Sequence, residues 1–178
     1  IGGAHHQEAQ DIDRDGWADM ANYRRAVLRP RFFWDNGSGH SVFITAGAMT
    51  EDRKGGTTDD ARLPDGSRFP EELTTRRLDG GLVGRFLVGD RVLSIGASAT
   101  SQRHAHTFGP VVENDRHHTL FGEASLGGST GGHTWAFGSA LQADLYRNRD
   151  VAGFDYTYTV PALFLQDDYA FGRRLTVS

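Results

Sequence analysis

The chain has 178 residues, a formal net charge of −4 and an isoelectric point of about 6.0. This balance gives no field strong enough to imply nucleic acid as a partner. The absence of cysteine excludes a disulfide framework and thiolate metal sites. Mean hydropathy is −0.49 and no run of about 18 apolar residues occurs, which excludes transmembrane helices. The 23 glycines against 5 prolines favour strands joined by tight turns.

Residues 1–22 are polar and show no regular alternation, which predicts a long loop. Most of the remaining chain alternates between apolar and polar positions, as is typical of β-strands. We expect about eight strands, at residues 23–35, 40–52, 77–88, 91–102, 117–126, 133–147, 158–169 and from 175 onward. The connections are predicted to be short at 36–39, 89–90, 127–132 and 171–174, and long at 53–73, 104–116 and 148–157.

The clearest pairing is a hairpin between the third and fourth strands. Gly89-Asp90 suits a two-residue type II′ turn, because glycine takes the first central position. Such a turn places Phe86 opposite Leu93 and Leu82 opposite Ala97. One face then gathers Leu78, Leu82, Phe86, Val88, Leu93 and Ile95, and the other gathers Arg77, Asp79, Arg85, Ser94, Ser98 and Gln102.

Three patterns point to a membrane barrel. The strands approach the ~9–11 residues that a tilted strand needs to cross a bilayer. Short and long connections alternate, as they do between the periplasmic and outer ends of outer-membrane barrels. Aromatic residues lie near strand ends, with Trp34 and Trp135 at the short-turn side and Tyr156 and Tyr158 at the long-loop side. We therefore predict an all-β fold, an antiparallel up-and-down transmembrane β-barrel segment; the alternative is a soluble β-sandwich binding module.

Two stretches resemble the barrel strands of TonB-dependent outer-membrane receptors. The first is Arg29-Pro-Arg-Phe-Phe-Trp, followed by Gly39 and a strand ending Thr50-Glu-Asp-Arg-Lys-Gly-Gly-Thr57. The second is Pro161-Ala-Leu-Phe-Leu-Gln-Asp-Asp-Tyr169, followed by Arg174-Leu-Thr-Val-Ser178. The resemblance implies a 22-stranded barrel in the outer membrane of a Gram-negative bacterium, plugged by an N-terminal domain. Such receptors import a scarce ligand, such as an iron–siderophore complex, with energy passed from TonB.

On this resemblance, residues 1–22 are an extracellular loop and residues 23–178 are a partial receptor barrel without its plug domain. The chain begins Ile-Gly-Gly and stops inside an expected strand, so we expect a fragment of a longer protein. The implied partners are TonB (through a plug domain absent here), outer-membrane lipid and a small-molecule ligand such as a ferric siderophore. A small outer-membrane barrel with an adhesin or structural role is the alternative within the same membrane.

Candidate ligand contacts lie in the predicted connections and at the start of the strand predicted at 117–126. His104 and His106 alternate and so share one face, and neutral imidazoles bind metal or haem iron. Basic residues there can hold anionic ferric chelates through charge-assisted contacts. The full candidate set is His104, His106, Phe108, His117, His118, Arg53, Lys54, Arg62 and Arg68. The alternative is that these are solvated residues of ordinary surface loops.

Six further residues are predicted to face the interior of the barrel: Arg77, Asp79, Arg85, Glu123, Gln142 and Asp144. Glu123 and Asp144 are a possible carboxylate pair, but isolated acids in a barrel interior are common. No His-Glu-x-x-His or comparable ligand spacing occurs. We therefore expect a protein that is not an enzyme and holds no cofactor or metal.

Overall fold

The computed structural model describes residues 1–58, 61–172 and 175–178. These residues form one antiparallel sheet of ten strands. The strands are β1 (Gly2–Gln7), β2 (Asn22–Leu28), β3 (Arg31–Asp35), β4 (Ser41–Gly56), β5 (Pro70–Val88), β6 (Arg91–Phe108), β7 (Val111–Thr130), β8 (His133–Asn148), β9 (Tyr156–Phe171) and β10 (Leu175–Val177). Neighbours in the sheet are neighbours in sequence, except that β2 and β3 both pair with β4. The predicted all-β, up-and-down antiparallel arrangement is confirmed, and the sheet is open at β1 and at β10.

Among the described residues, no helix is both long enough and apolar enough to cross a membrane.

The predicted hairpin between β5 and β6 is confirmed in its register. Phe86 is the partner of Leu93, and Leu82 is the partner of Ala97. Gly89 has a φ of +66°, the left-handed region that a type II′ turn requires at its first central position. The same register continues through the far ends of both strands, where Glu71 pairs with Phe108.

The strand predicted at residues 23–35 is interrupted at Pro30. β2 and β3 pair with β4 in one continuous register, because Leu28 lies opposite Ala48 and Phe32 lies opposite Ile44. Proline has no N–H to give to the ladder. Its carbonyl oxygen still accepts a hydrogen bond from the Ala46 amide at 3.2 Å. The predicted strand is therefore two strands on one line.

Residues 1–22 are not a continuous loop, and that prediction is wrong for Gly2–Gln7. These residues form β1, which pairs with β2 from Gly2 opposite Leu28 to Gln7 opposite Tyr23. β1 is an edge strand, and most of its residues are exposed. Because neither face is buried, its sequence needs no alternation of apolar and polar residues.

The strands extend farther than the apolar pattern predicts. β4 continues to Gly56 and β5 begins at Pro70, so the predicted 53–73 connection shrinks to residues 57–69. The loop predicted at 104–116 is wrong, because β6 and β7 continue through it and meet at Gly109-Pro110. Long connections remain at residues 8–21, 57–69 and 149–155. The predicted turn at 171–174 lies partly outside the described residues.

The sheet has two unlike faces, which we call the apolar face and the polar face. The apolar face carries Leu78, Leu82, Phe86, Ile95, Leu120, Leu141 and Leu163, and the polar face carries Arg77, Asp79, Arg85, His104, Gln142 and Asp144. No hydrophobic residue among those described is buried. Leu78 is 64% exposed, Leu141 is 51% exposed and Leu163 is 88% exposed. A soluble sandwich requires a second sheet packed on this face, whereas the described residues form one layer.

Two of the predicted girdle residues lie on the other face. Tyr156 pairs with Tyr146 and Tyr158 pairs with Asp144, which places both tyrosines on the polar face. The prediction that they form an outward aromatic ring at the long-loop side is therefore wrong. Trp34 and Trp135 do lie on the apolar face, opposite Val42 and Asp167.

We expect Gly138→Ala to destabilise the sheet, whereas Gly122→Ala should be tolerated. A Cβ at Gly138 would lie 2.5 Å from the Ala124 carbonyl oxygen and 2.8 Å from the Ser125 Cβ, while a Cβ at Gly122 meets nothing within 4 Å. Overpacking of this kind costs about 1–3 kcal/mol. Urea titration of the full-length protein in detergent measures both variants, and equal midpoints would contradict the close approach of β7 and β8.

Candidate functional site

The most buried polar side chains form a single row across the polar face. Glu51 is the partner of Thr75, Thr75 of His104, and His104 of Asp115. Glu51 is 7% exposed, and Thr75 and Asp115 are each 5% exposed. Side chains of neighbouring strands therefore cover one another most completely along this row. The row lies nearer to the long connections than the apolar residues of the same strands do.

Asp115 joins both of the predicted ligand histidines. Its Oδ1 lies 2.7 Å from His104 Nδ1, and its Oδ2 lies 3.3 Å from His106 Nε2. One ligand atom from each of the three residues lies within 4.8 Å of the other two. The two imidazole rings are 5.7 Å apart, and Phe108 stacks on His106 at 6.0 Å. We call His104, His106 and Asp115 the histidine–aspartate cluster.

More polar side chains surround this cluster on the same face. His117 forms a hydrogen bond with Asp144 and packs edge-on against Tyr146 at 6.0 Å. The Asn148 side-chain amide donates to Glu113 and approaches the Tyr146 hydroxyl at 3.5 Å. Acceptors and imidazoles are thus concentrated in one region of β6, β7 and β8.

Two imidazoles and one carboxylate are a ligand set for a divalent transition metal. Neutral histidine suits zinc, copper, iron and nickel, and a carboxylate can complete the set. The sequence predicted no metal site, because it has no His-Glu-x-x-His or comparable ligand spacing and shows no third ligand beside His104 and His106. Asp115 becomes that third group only through the β6–β7 hairpin, whose position the sequence analysis missed.

The other predicted ligand residues do not gather here. His118 pairs with Ser101 and Leu145 and lies on the apolar face, opposite in direction to His117. Arg53 and Lys54 belong to β4 rather than to a loop, and they point to opposite faces. Arg53 binds Glu51 at 2.8 Å, and Lys54 binds Glu72 at 3.3 Å. Arg62 and Arg68 do lie in a long connection, that of residues 57–69.

The six residues predicted to face an interior all lie on the polar face. Asp79 is the best connected of them, with Arg29 Nη2 at 2.8 Å and Arg77 Nε at 3.1 Å. Asp144 meets His117. Glu123 lies opposite Gly96, where a Cβ would come within 3.0 Å of the glutamate side chain. Glu123 and Asp144 belong to different rows, since Glu123 pairs with Ala140.

One stretch has the spacing of a serine-hydrolase elbow. Gly127-Gly-Ser-Thr-Gly131 matches Gly-x-Ser-x-Gly. That motif needs a sharp turn from a strand into a helix. Here the stretch is the end of β7 and the start of a hairpin turn, and the Ser129 hydroxyl lies 3.4 Å from the Thr134 hydroxyl. The structural context of the motif is therefore not met.

A second group of carboxylates lies in the connection between β1 and β2, and the sequence analysis missed it. Residues 11–19 read Asp-Ile-Asp-Arg-Asp-Gly-Trp-Ala-Asp. Carboxylates at the first, third and fifth positions with glycine at the sixth match the first half of an EF-hand calcium loop, whose twelfth position, normally glutamate, is Asn22 here. Asp11, Asp13 and Asp15 bring ligand oxygens within 4.8 Å of one another. The spacing of these carboxylates in the sequence was the signal from which this candidate cation site could have been predicted.

The backbone of this loop matches its sequence. Gly16 has a φ of +89°, and its amide donates to Asp11 Oδ2 at 3.0 Å. Asp11 Oδ1 is buried and accepts no hydrogen bond from the described residues. The loop is held against the sheet, because Trp17 forms a β-bridge with Thr57 and its ring packs at a tilt against that of Phe69, with 5.7 Å between the ring centroids. Three oxygen ligands facing one another are chemistry suited to Ca²⁺.

We expect Tb³⁺, a luminescent substitute for Ca²⁺, to bind this loop and to be sensitised by Trp17 in the full-length protein. Ca²⁺ should displace it, and Asp13→Asn combined with Asp15→Asn should abolish the signal. Trp17→Phe should remove the luminescence but not the binding. Asp90→Asn, in an exposed turn, is the matched control. Luminescence that survives the double substitution would contradict this assignment.

No protein family and no characterised protein matches this sequence. Among solved structures, the chain is similar to the copper transporter OprC, with a TM-score of 0.64 and 16% sequence identity. The likeness covers 89% of this chain and 28% of the OprC chain, so the chain spans less than a third of that protein's length. At this identity the likeness shows the fold: the antiparallel sheet has the strand arrangement of part of that transporter.

Proposed function

We propose that this chain is part of the wall of an outer-membrane receptor of the TonB-dependent kind, which imports a scarce ligand that contains a metal ion. The observation that carries the proposal is a single layer of long antiparallel strands whose apolar face stays exposed, with no buried hydrophobic residue among those described. Such a face is costly in water and stable in lipid. The likeness of fold to a copper transporter supports the same reading.

The dimensions of the apolar face suit a bilayer. Its apolar rows begin at Phe86 and end at Leu78 on β5, and the matching stretch of β8 runs from Phe137 to Leu145. Each stretch is nine residues long, which agrees with the ~9–11 residues of a tilted transmembrane strand. The charged residues Arg77, Asp79 and Arg85 alternate with them and lie on the polar face, where lipid does not reach them.

The polar face is then the inside of the receptor. The histidine–aspartate cluster lies on it near the long connections, which are the outer end of an outer-membrane barrel. Imidazole and carboxylate ligands favour a cargo that contains a metal ion, such as an iron–siderophore complex. TonB would act through a plug domain outside these residues. In this proposal the protein transports its ligand and catalyses no reaction.

We expect Leu141→Arg to block assembly of the full-length protein into the outer membrane, whereas Gln142→Arg should assemble normally. The two residues are adjacent and both exposed, but they lie on opposite faces. Arginine on the lipid side costs about 2–4 kcal/mol near the bilayer midplane. Heat-modifiable migration of the membrane fraction measures folded protein. Equal effects of the two substitutions, or recovery of the wild type in the soluble fraction, would contradict the proposal.

Loss of the histidine pair should weaken ligand binding. We expect His104→Ala combined with His106→Ala to reduce affinity by at least about tenfold for whichever ligand the full-length receptor binds. His118→Ala is the matched control, because it removes an imidazole from the apolar face. Binding is measured against ferric siderophores, haem, cobalamin and copper. Unchanged affinity for every ligand that binds would remove the cluster from the site.

A further inference from the structure

A row of arginines crosses four neighbouring strands on the apolar face. Arg76 on β5 is the partner of Arg103 on β6, Arg103 is the partner of Arg116 on β7, and Arg116 is the partner of Arg147 on β8. Adjacent strands lie about 4.8 Å apart. We call these four residues the arginine row. Like charges directly opposite one another destabilise a sheet, so this register needs an explanation.

The protein itself supplies little counter-charge. In the part of the chain that the structure describes, Arg76, Arg103 and Arg116 form no ion pair with a carboxylate, whereas Arg147 lies 3.9 Å from Asp155. Arg116 also has the like charges of Arg103 and Arg149 close to it. Arg77, the next residue along β5, lies on the polar face and differs from the row, since it binds Asp79 at 3.1 Å.

The row lies at the border of the apolar face. Two residues along each strand toward the short turns, the same face carries Leu78, Ser101, His118 and Leu145. The apolar stretch begins at this row. A groove of about 590 Å³ opens between the two levels. Arg76 and Arg103 form its charged rim, and Ala26, Leu28, Ala48 and Leu78 contribute its apolar lining. The surface therefore offers cationic donors directly above an apolar trough.

We propose that the arginine row binds the phosphates of an acylated, phosphorylated glycolipid of the outer leaflet, with part of an acyl chain in the groove beneath. This inference rests on the proposed function, because it takes the apolar face to be in contact with lipid. Guanidinium groups bind phosphate through paired, charge-assisted hydrogen bonds. A phosphate between two arginines turns their repulsion into attraction to a shared anion. The row is wide enough for more than one phosphate.

A lipid fits better than a free anion, because the arginines lie next to an apolar groove. A free phosphate would use the arginines alone and gain nothing from Leu28, Ala48 and Leu78. An amphiphile uses both levels at once, since its charged group meets the arginines of the rim while part of a chain lies against the apolar lining of the groove. The row would also fix the depth of the barrel in the membrane, because arginine at this height lies at the headgroups.

The test uses purified full-length protein in detergent, with diphosphorylated lipid A as the probe. We expect Arg103→Gln combined with Arg116→Gln to weaken binding by about tenfold or more for each arginine lost. Arg31→Gln combined with Arg85→Gln is the matched control, because both residues lie on the polar face; its affinity should equal that of the wild type. Dephosphorylated lipid A should bind weakly, and inorganic phosphate should compete only at far higher concentration.

Equal binding by the row variant and the control would overturn the inference. So would competition by inorganic phosphate as effective as that by lipid A, which would indicate a general anion site. Failure of the proposed function is a separate result: it is read from Leu141→Arg and Gln142→Arg, which do not touch the row. A protein that assembles in the outer membrane but binds lipid A independently of Arg103 and Arg116 would retain the proposed function and lose this inference.

Discussion

The register of main-chain hydrogen bonds, which continues from each strand to the next, determines which side chains lie on each face of this sheet. Each hairpin sets the pairing of its two strands, and each strand passes its alternation to the next. Leu82 therefore shares a face with Ile44, Ala97 and Leu141, although these residues are far apart in sequence. A slip of one residue in any strand would exchange its faces. With no second layer to correct such an error, the ladder itself keeps apolar and polar side chains apart.

The register also explains why the polar and charged side chains of the candidate sites lie in rows across the strands. The same pairing that aligns leucines aligns Glu51, Thr75, His104 and Asp115 on the polar face, and it aligns four arginines on the other. In a single sheet a side chain is covered mainly by its cross-strand partners, so burial is greatest where long polar groups meet. This is why the most buried side chains here are polar, which is the reverse of a globular core.

The two candidate cation sites differ in what holds them together. The histidine–aspartate cluster depends on two strands of the sheet, β6 and β7, and its ligands come from both sides of their hairpin. The acidic loop is local in sequence and is closed by hydrogen bonds among its own residues, such as that from the Gly16 amide to Asp11. It is tied to the sheet by main-chain hydrogen bonds, such as that from the Ala18 amide to the Gly56 carbonyl oxygen, and by Trp17, which packs against Phe69. The first arrangement is fixed by the pairing of β6 with β7 and lies on the polar face. The second lies in the connection between β1 and β2, where a bound cation would hold the carboxylates of the loop together.

The sequence by itself determined the strand class, the β5–β6 register and the two faces, because alternation with a period of two and a glycine at the turn are written into adjacent residues. It also placed His104 and His106 on one side. Only the tertiary structure decided where the strands end, that Gly2–Gln7 is a strand, that Tyr156 and Tyr158 face the polar side and that Asp115 meets both histidines. Polar strand ends are held by main-chain hydrogen bonds and leave no trace in hydropathy, and cross-strand partners follow from a turn at Gly109-Pro110 that no apolar pattern marks.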